Sequence, residues 1–162
     1  MLSKVHDGAL SIDLLLGHNR ANHRAYDTGL SEVRGVDHLR NGADDDSNRH
    51  YVVVEVDAAT SGLSRDELVG VLRLENIEAR RYFHPGCHRQ QPYRTTHPGV
   101  GADLPVTERL SDRVMVLPTG LAVDPGMVDR VCGLIATAIA SAPEVRQCLR
   151  SVDEDQLRAF GR

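Results

Sequence analysis

Lysine is nearly missing from this 162-residue chain: of its 19 Lys and Arg residues, Lys4 is the single lysine and 18 are arginines. Chemistry that depends on a lysine amine held in a pocket therefore has one candidate, close to the start of the chain. Long apolar runs are missing as well. No stretch approaches the ~18 residues of a membrane-spanning helix, and Met1-Leu2-Ser3-Lys4 opens no continuous apolar signal-peptide core. No membrane is expected as a partner. The three cysteines, Cys87, Cys132 and Cys148, form no tidy disulfide framework, which points to a reducing, cytoplasmic setting. A basic surface is also lacking. The formal net charge is −4 and the pI is near 6.0, which argues against a nucleic-acid partner. With 41% hydrophobic residues the chain can bury one modest core, and it has no room for two large domains.

No internal repeat or low-complexity tract divides the sequence. Leu10 to Val33 reads as a helix with apolar positions Ile12, Leu15, Leu16, Tyr26, Leu30 and Val33. Its middle is polar (His18, Asn19, Arg20, Asn22, His23, Arg24), so this face is expected to bend the helix or to meet something outside the chain. Gly35 is the expected helix stop. Asn41 to Arg49 is an acidic turn-rich loop in which Asp44-Asp45-Asp46 is expected to be solvated. His50 to Val56 reads as a strand covered on both faces, on the strength of Val52-Val53-Val54. Ser64-Arg65-Asp66-Glu67 matches a capping box ahead of a helix that buries Leu68, Val71 and Leu72. Ile77 to Phe83 is a second strand, Pro85 to Gly101 a long loop, and Pro105 the start of a short helix. Val114 to Leu117 is a third strand. Asp124-Pro125 caps a helix with Val128, Val131, Cys132, Ile135 and Ile139 on its apolar face, and Pro143 restarts a helical tail ending near Phe160. This order fits an α+β sandwich, three or four strands covered by helices on one side.

The chemistry-bearing stretch is Arg80 to Arg94 (Arg-Arg-Tyr-Phe-His-Pro-Gly-Cys-His-Arg-Gln-Gln-Pro-Tyr-Arg), which leaves a strand and enters the long loop. A loop of that length inside a compact domain is usually functional. Arginine suits bidentate binding of carboxylate or phosphate, which points to the wall of an anion pocket. A metal site from His84, Cys87 and His88 lacks helical alignment and a second Cys/His pair. Cys87 as a nucleophile lacks an orienting carboxylate. A structural loop with solvated arginines is the plain alternative.

Tyr82-Phe83-His84-Pro85-Gly86-Cys87-His88-Arg89 with Pro92-Tyr93-Arg94, then Leu104 to Arg113, then Val116-Leu117-Pro118-Thr119-Gly120, resembles the C-terminal part of the DegT/DnrJ/EryC1/StrS aminotransferases. The likeness runs from about His18-Asn19-Arg20 to Ile139 and is nearest to the enzymes of dTDP-linked 4-keto-6-deoxyhexoses. It implies the small C-terminal domain of the fold-type I pyridoxal-phosphate aminotransferase architecture, a three- to four-stranded sheet covered by helices and preceded by a long N-terminal helix. It implies residues 1–40 as a helix linking to a large domain, 41–140 as the small domain, and 141–162 as a helical tail. It also implies substrate-facing roles for His88, Arg81, Tyr82, His84, Tyr93 and Arg94, with Arg80 and Arg81 unable to face the same way because strand side chains alternate. In the family the large domain supplies the Schiff-base lysine and the groups that hold pyridoxal phosphate. The chain is therefore expected to look like a truncated or split aminotransferase that does not bind the cofactor alone. It is expected to form a homodimer or a complex with a lysine-bearing aminotransferase domain, and to meet a sugar nucleotide once a complete site is assembled. The alternative is a non-catalytic auxiliary subunit that pairs with a full-length aminotransferase.

Overall fold

In a computed structural model the described residues are 12–40 and 47–151. Lys4, the start of the first helix at Leu10, the Asp44-Asp45-Asp46 run and the tail toward Phe160 lie outside them. The order is α1 (Ile12–Leu30), β1 (Val36–His38), β2 (Val52–Val56), α2 (Ala58–Ser61), α3 (Arg65–Leu74), β3 (Arg80–Arg81), α4 (Tyr93–Thr96), α5 (Pro105–Arg113), β4 (Val114–Leu117), α6 (Pro125–Ala140) and α7 (Ala142–Ser151). The four strands form one antiparallel sheet in the order β1-β2-β4-β3. The expected α+β fold is thus present, with β2 and β3 flanking β4.

Register decides which side chains share a face. Val52 lies opposite Leu117, Val54 opposite Met115, and Val36 opposite Val56. All six are buried and join one core with Tyr26 and Leu30 of α1, Leu68, Val69 and Leu72 of α3, and Val128, Val131, Cys132 and Ile135 of α6. Burying each large aliphatic side chain contributes roughly 1.5–3 kcal/mol. The other face carries Val53, Glu55 and Val116, all only partly covered. The expectation that β2 is covered on both faces therefore needs correction: its burial alternates, and α5 reaches its second face through Arg109 and Arg113, whose Nη1 atoms lie 3.7 and 3.8 Å from Glu55 Oε1.

The local signals act as read. Ser64 and Glu67 form the reciprocal capping box of α3, and Asp124 accepts from the Met127 amide at the start of α6. The helical face of α6 is as expected, with Ile139 partly buried. Three expectations are revised. Strand β1 has only three residues, too few to show a pattern, and Gly35 lies in the turn before it rather than directly after α1. The strand expected over Ile77 to Phe83 pairs only at Arg80–Arg81, because Ile77 turns back to close α3 by donating its amide to the Leu72 carbonyl at 2.8 Å. The long loop also contains local order: 3-10 turns at Cys87–Arg89 and Val100–Asp103, and α4 between them.

His18, Asn19, Asn22 and His23 of the polar middle of α1 turn into this chain instead of outward, while Arg20 and Arg24 stay exposed. Asn22 Nδ2 donates to the Val123 carbonyl at 3.2 Å and to Thr119 Oγ1 at 3.3 Å, His18 Nε2 donates to the Val123 carbonyl at 2.8 Å, and the Tyr26 hydroxyl donates to the Pro118 carbonyl at 2.9 Å. These donors serve the carbonyls of the 118–123 turn, which no strand or helix otherwise satisfies. Tyr26 is consequently enclosed by its own chain, and burial pushes its hydroxyl pKa above the ordinary phenol range. Leu14 remains 55% exposed, with Leu15 and Leu16 half-buried.

Candidate functional site

The chain leaving β3 is shaped by two residues in the left-handed backbone region, Phe83 at φ 48° and Gly86 at φ 49°. Gly86 has a second reason to be glycine. A Cβ there would come within 2.7 Å of His88 Cε1, so the absence of a side chain lets the imidazole fold back over the turn. His88, on the 3-10 turn, is thereby almost enclosed, its side chain 8% exposed, and Nε2 donates to the Glu108 carboxylate.

Glu108 stands in the first turn of α5, opened by Pro105 at its N-terminus. Its second oxygen accepts from Arg89 Nη2, and Arg89 Nε donates to Oε1 at 3.0 Å. Arg89 Nη1 also lies 3.5 Å from Asp112, one helical turn further along α5. One carboxylate therefore orients both an imidazole and a guanidinium. Gly101 allows this approach, since a Cβ there would sit 2.8 Å from Glu108 Oε1.

His88, Arg89, Arg94, His97, Gly99, Gly101 and Glu108 border a cavity of about 310 Å³. Two guanidiniums and two imidazoles face one carboxylate that is already engaged, so the cavity favours an anion. Arg94 is exposed and forms no ion pair among the described residues, and His97 Nδ1 lies 2.9 Å from Thr96 Oγ1. A larger depression of about 550 Å³ along α7 is bordered by Pro143, Arg146, Gln147 and Arg150, a set with no group that exchanges a proton near neutrality.

Of the six residues expected to face substrate, the structure brings His88 and Arg94 to this cavity. Arg81 lies on the helix-covered face, with Nε 3.9 Å from Asp66 of α3. Arg80, on the opposite face, pairs with Glu78. Tyr82 packs its ring against Phe83 at 4.1 Å and Tyr51 at 5.6 Å between centroids. His84 Nδ1 accepts from Arg65 Nη2 at 3.4 Å, and Tyr93 is exposed at the start of α4. His84 and His88 thus turn to different partners. Among the described residues no three His, Cys, Asp or Glu side chains stand together as metal ligands.

Arg89, His97 and Glu108 were not singled out by sequence reasoning. Glu108 looks there like an ordinary first-turn acid of a helix. Arg65 was missed too. It is buried at the start of α3, donating from Nη1 to the Val114 carbonyl at 2.7 Å and from Nε to Asp66 at 2.7 Å, and it ties α3, β4 and the loop together.

The sequence profile of the DegT/DnrJ/EryC1/StrS aminotransferase family matches residues 10–136. UDP-4-amino-4-deoxy-L-arabinose–oxoglutarate aminotransferase of Shewanella sediminis is 29% identical over 96 residues, 57% of this chain and 24% of that protein. Among solved structures, DesI in the presence of its TDP-sugar product superposes with a TM-score of 0.77 at 39% identity, covering 85% of this chain and 34% of that one. DesV of S. venezuelae, in complex with a ketimine intermediate, gives a TM-score of 0.68 at 24% identity over 78% of this chain and 32% of that one, a likeness of fold alone. The chain spans about a quarter to a third of the length of these proteins.

Enzymes of this family depend on pyridoxal phosphate. The cavity's donors suit a phosphate, but no lysine occurs among the described residues to form the cofactor's imine. The residues described here do not fit the whole group by themselves.

Proposed function

The chain belongs to the DegT/DnrJ/EryC1/StrS aminotransferase family, and from that premise we propose that it serves as the small-domain wall of a sugar-nucleotide aminotransferase, acting on a dTDP-linked keto-deoxyhexose. The observation that carries this reading is the anion-favouring cavity in which Glu108 holds His88 and Arg89 while Arg94 and His97 stay open. In this reading Arg94 and His97 meet the substrate's phosphates, and His88, its Nε2 engaged by Glu108, contributes orientation. The chain is inactive alone. Lysine and pyridoxal phosphate belong to a lysine-bearing aminotransferase domain set against this one, and exposed Ile12 and Leu14 on α1 offer apolar surface for that contact or for a second copy of the chain.

Calorimetric titration of the full chain with dTDP at low salt tests the substrate assignment. Saturable binding is expected, weakened about tenfold by Arg94→Ala if one charge-assisted contact of about 1.5 kcal/mol is lost. Absence of binding, or equal binding by parent and variant, would remove the cavity from the substrate's path.

A further inference from the structure

A second polar cluster lies along one face of α1, apart from the cavity. Asn19, His23 and Asp27 recur every four residues and so form one seam. The seam grips the chain on both sides of residues 41–46. Asn19 Nδ2 donates to the Asn48 carbonyl at 2.9 Å, and His23 is hydrogen-bonded to the backbone of Arg49. Asp27 Oδ1 accepts from His38 Nδ1 at 2.5 Å and from Arg40 Nε at 2.9 Å. The rings of His23 and His38 lie 5.1 Å apart. The His38 side chain is 3% exposed, and Nε2 of both histidines and Oδ1 of Asn19 are buried with no hydrogen-bond partner among the described residues.

Three buried polar atoms without a partner among the described residues are costly to maintain. A neutral His23 keeps that cost moderate. A proton on His23 would instead put a charge beside His38 and Arg49, opposed by the Asp27 carboxylate, which His38 and Arg40 already share. Burial first, then His38 and Arg49, holds the His23 pKa below its ordinary value of 6.5, while Asp27 and the Arg49 backbone act the other way. What the seam holds is slight: β1 is three residues long and forms the edge of the sheet, continued by the Leu39 amide donating to the Val53 carbonyl at 2.9 Å.

We propose that His23, stacked beside His38, is an acid-released latch that docks the β1 edge strand on α1: a neutral His23 keeps β1 in place, and a proton on His23 frees it. The sign follows from the direction of the His23 shift. The docked state has its full stability above pH 6.5, and loses it as the pH falls below that value, because the undocked histidine binds the proton more tightly. Loss of β1 makes β2 the sheet edge and opens its ladder to another strand. The Arg49 charge acting on His23 argues against a metal ion in the same place.

Amide exchange of the full chain between pH 8 and 5, corrected for intrinsic rates, tests the latch. The opening constant of Leu39 is expected to rise by up to about tenfold per pH unit below ~6.5, the response to one proton, while amides of β4 and α6 stay level. His23→Gln should abolish the slope. His38→Asn, which keeps a donor toward Asp27, should reduce it and serves where His23→Gln does not fold. A level Leu39 in the parent, or a His23→Gln variant with an unchanged slope, would overturn the proposal. So would α6 amides that open in parallel, which means acid unfolding of the whole chain. Zn²⁺ that protects Leu39 in the parent but not in His38→Asn would overturn it in favour of a metal site.

Discussion

Where Val52, Val54, Met115 and Leu117 meet α3 and α6, the contacts are apolar and repeat with the period of strand and helix. Between Tyr82 and Asp112 the chain is held by ring edges, a left-handed glycine and the carboxylates of Glu108 and Asp112. Both regions are ordered, yet by different means. Apolar burial is non-directional and tolerates small shifts, so it suits a scaffold. Charge-assisted hydrogen bonds are directional, so they aim particular atoms, such as His88 Nε2, at the cost of stability that depends on every partner. The back of the molecule resists unfolding, and the loop side aims functional groups.

Cysteine chemistry gives the sharpest contrast. Cys132 lies in the core, and burial pushes its thiol pKa up to about 11, whereas Cys87 is exposed on the loop. Iodoacetamide at neutral pH should alkylate Cys87 and leave Cys132 intact until denaturant is added, as read by peptide mass. Equal labelling in the folded chain would break the division. Next in size is Leu68→Ala, which should cost about 2–5 kcal/mol in urea unfolding as a cavity opens in the core, with dTDP affinity preserved wherever the variant is folded. Gly86→Ala should cost less, about 1–3 kcal/mol for its positive-φ backbone, but should displace His88 and weaken dTDP binding. A Leu68→Ala variant that lost binding while folded, or a Gly86→Ala variant that kept it, would show that the two regions are not separable.

This contrast also marks what could be read from sequence. Ser64 and Glu67, Asp124, and the spacing of Val128, Val131, Cys132 and Ile135 signal their roles locally, because caps and helix faces depend on neighbours a few residues away. Asn22 and His18 do not. Their partners are carbonyls about a hundred residues later, and a polar stripe that serves a distant turn looks like one that seeks another protein. Composition and resemblance point to His88 and Arg94, which border one cavity, but not to Glu108, since nothing in its neighbourhood shows that it answers to residue 88. Arg81 lies away from that cavity for a simpler reason: its place in the register, opposite Met115, puts it on the helix-covered face, and pairing order is not written in a single strand.

Helix α5 is gripped along both flanks, by Arg89 on its acidic side and by Glu55 and Asp57 on its basic side through Arg109 and Arg113. These are partly exposed pairs, and dissolved ions screen such contacts over a Debye length of about 10 Å at 0.1 M. Ionic strength is therefore a dial on one wall of the cavity and leaves the apolar core on the other face of the sheet untouched. An anion bound by Arg94 and His97, as proposed, would come from that same ionic atmosphere. By drawing on Arg89 it would compete with Glu108, so that ligand and solvent would act on the helix through one shared set of charges.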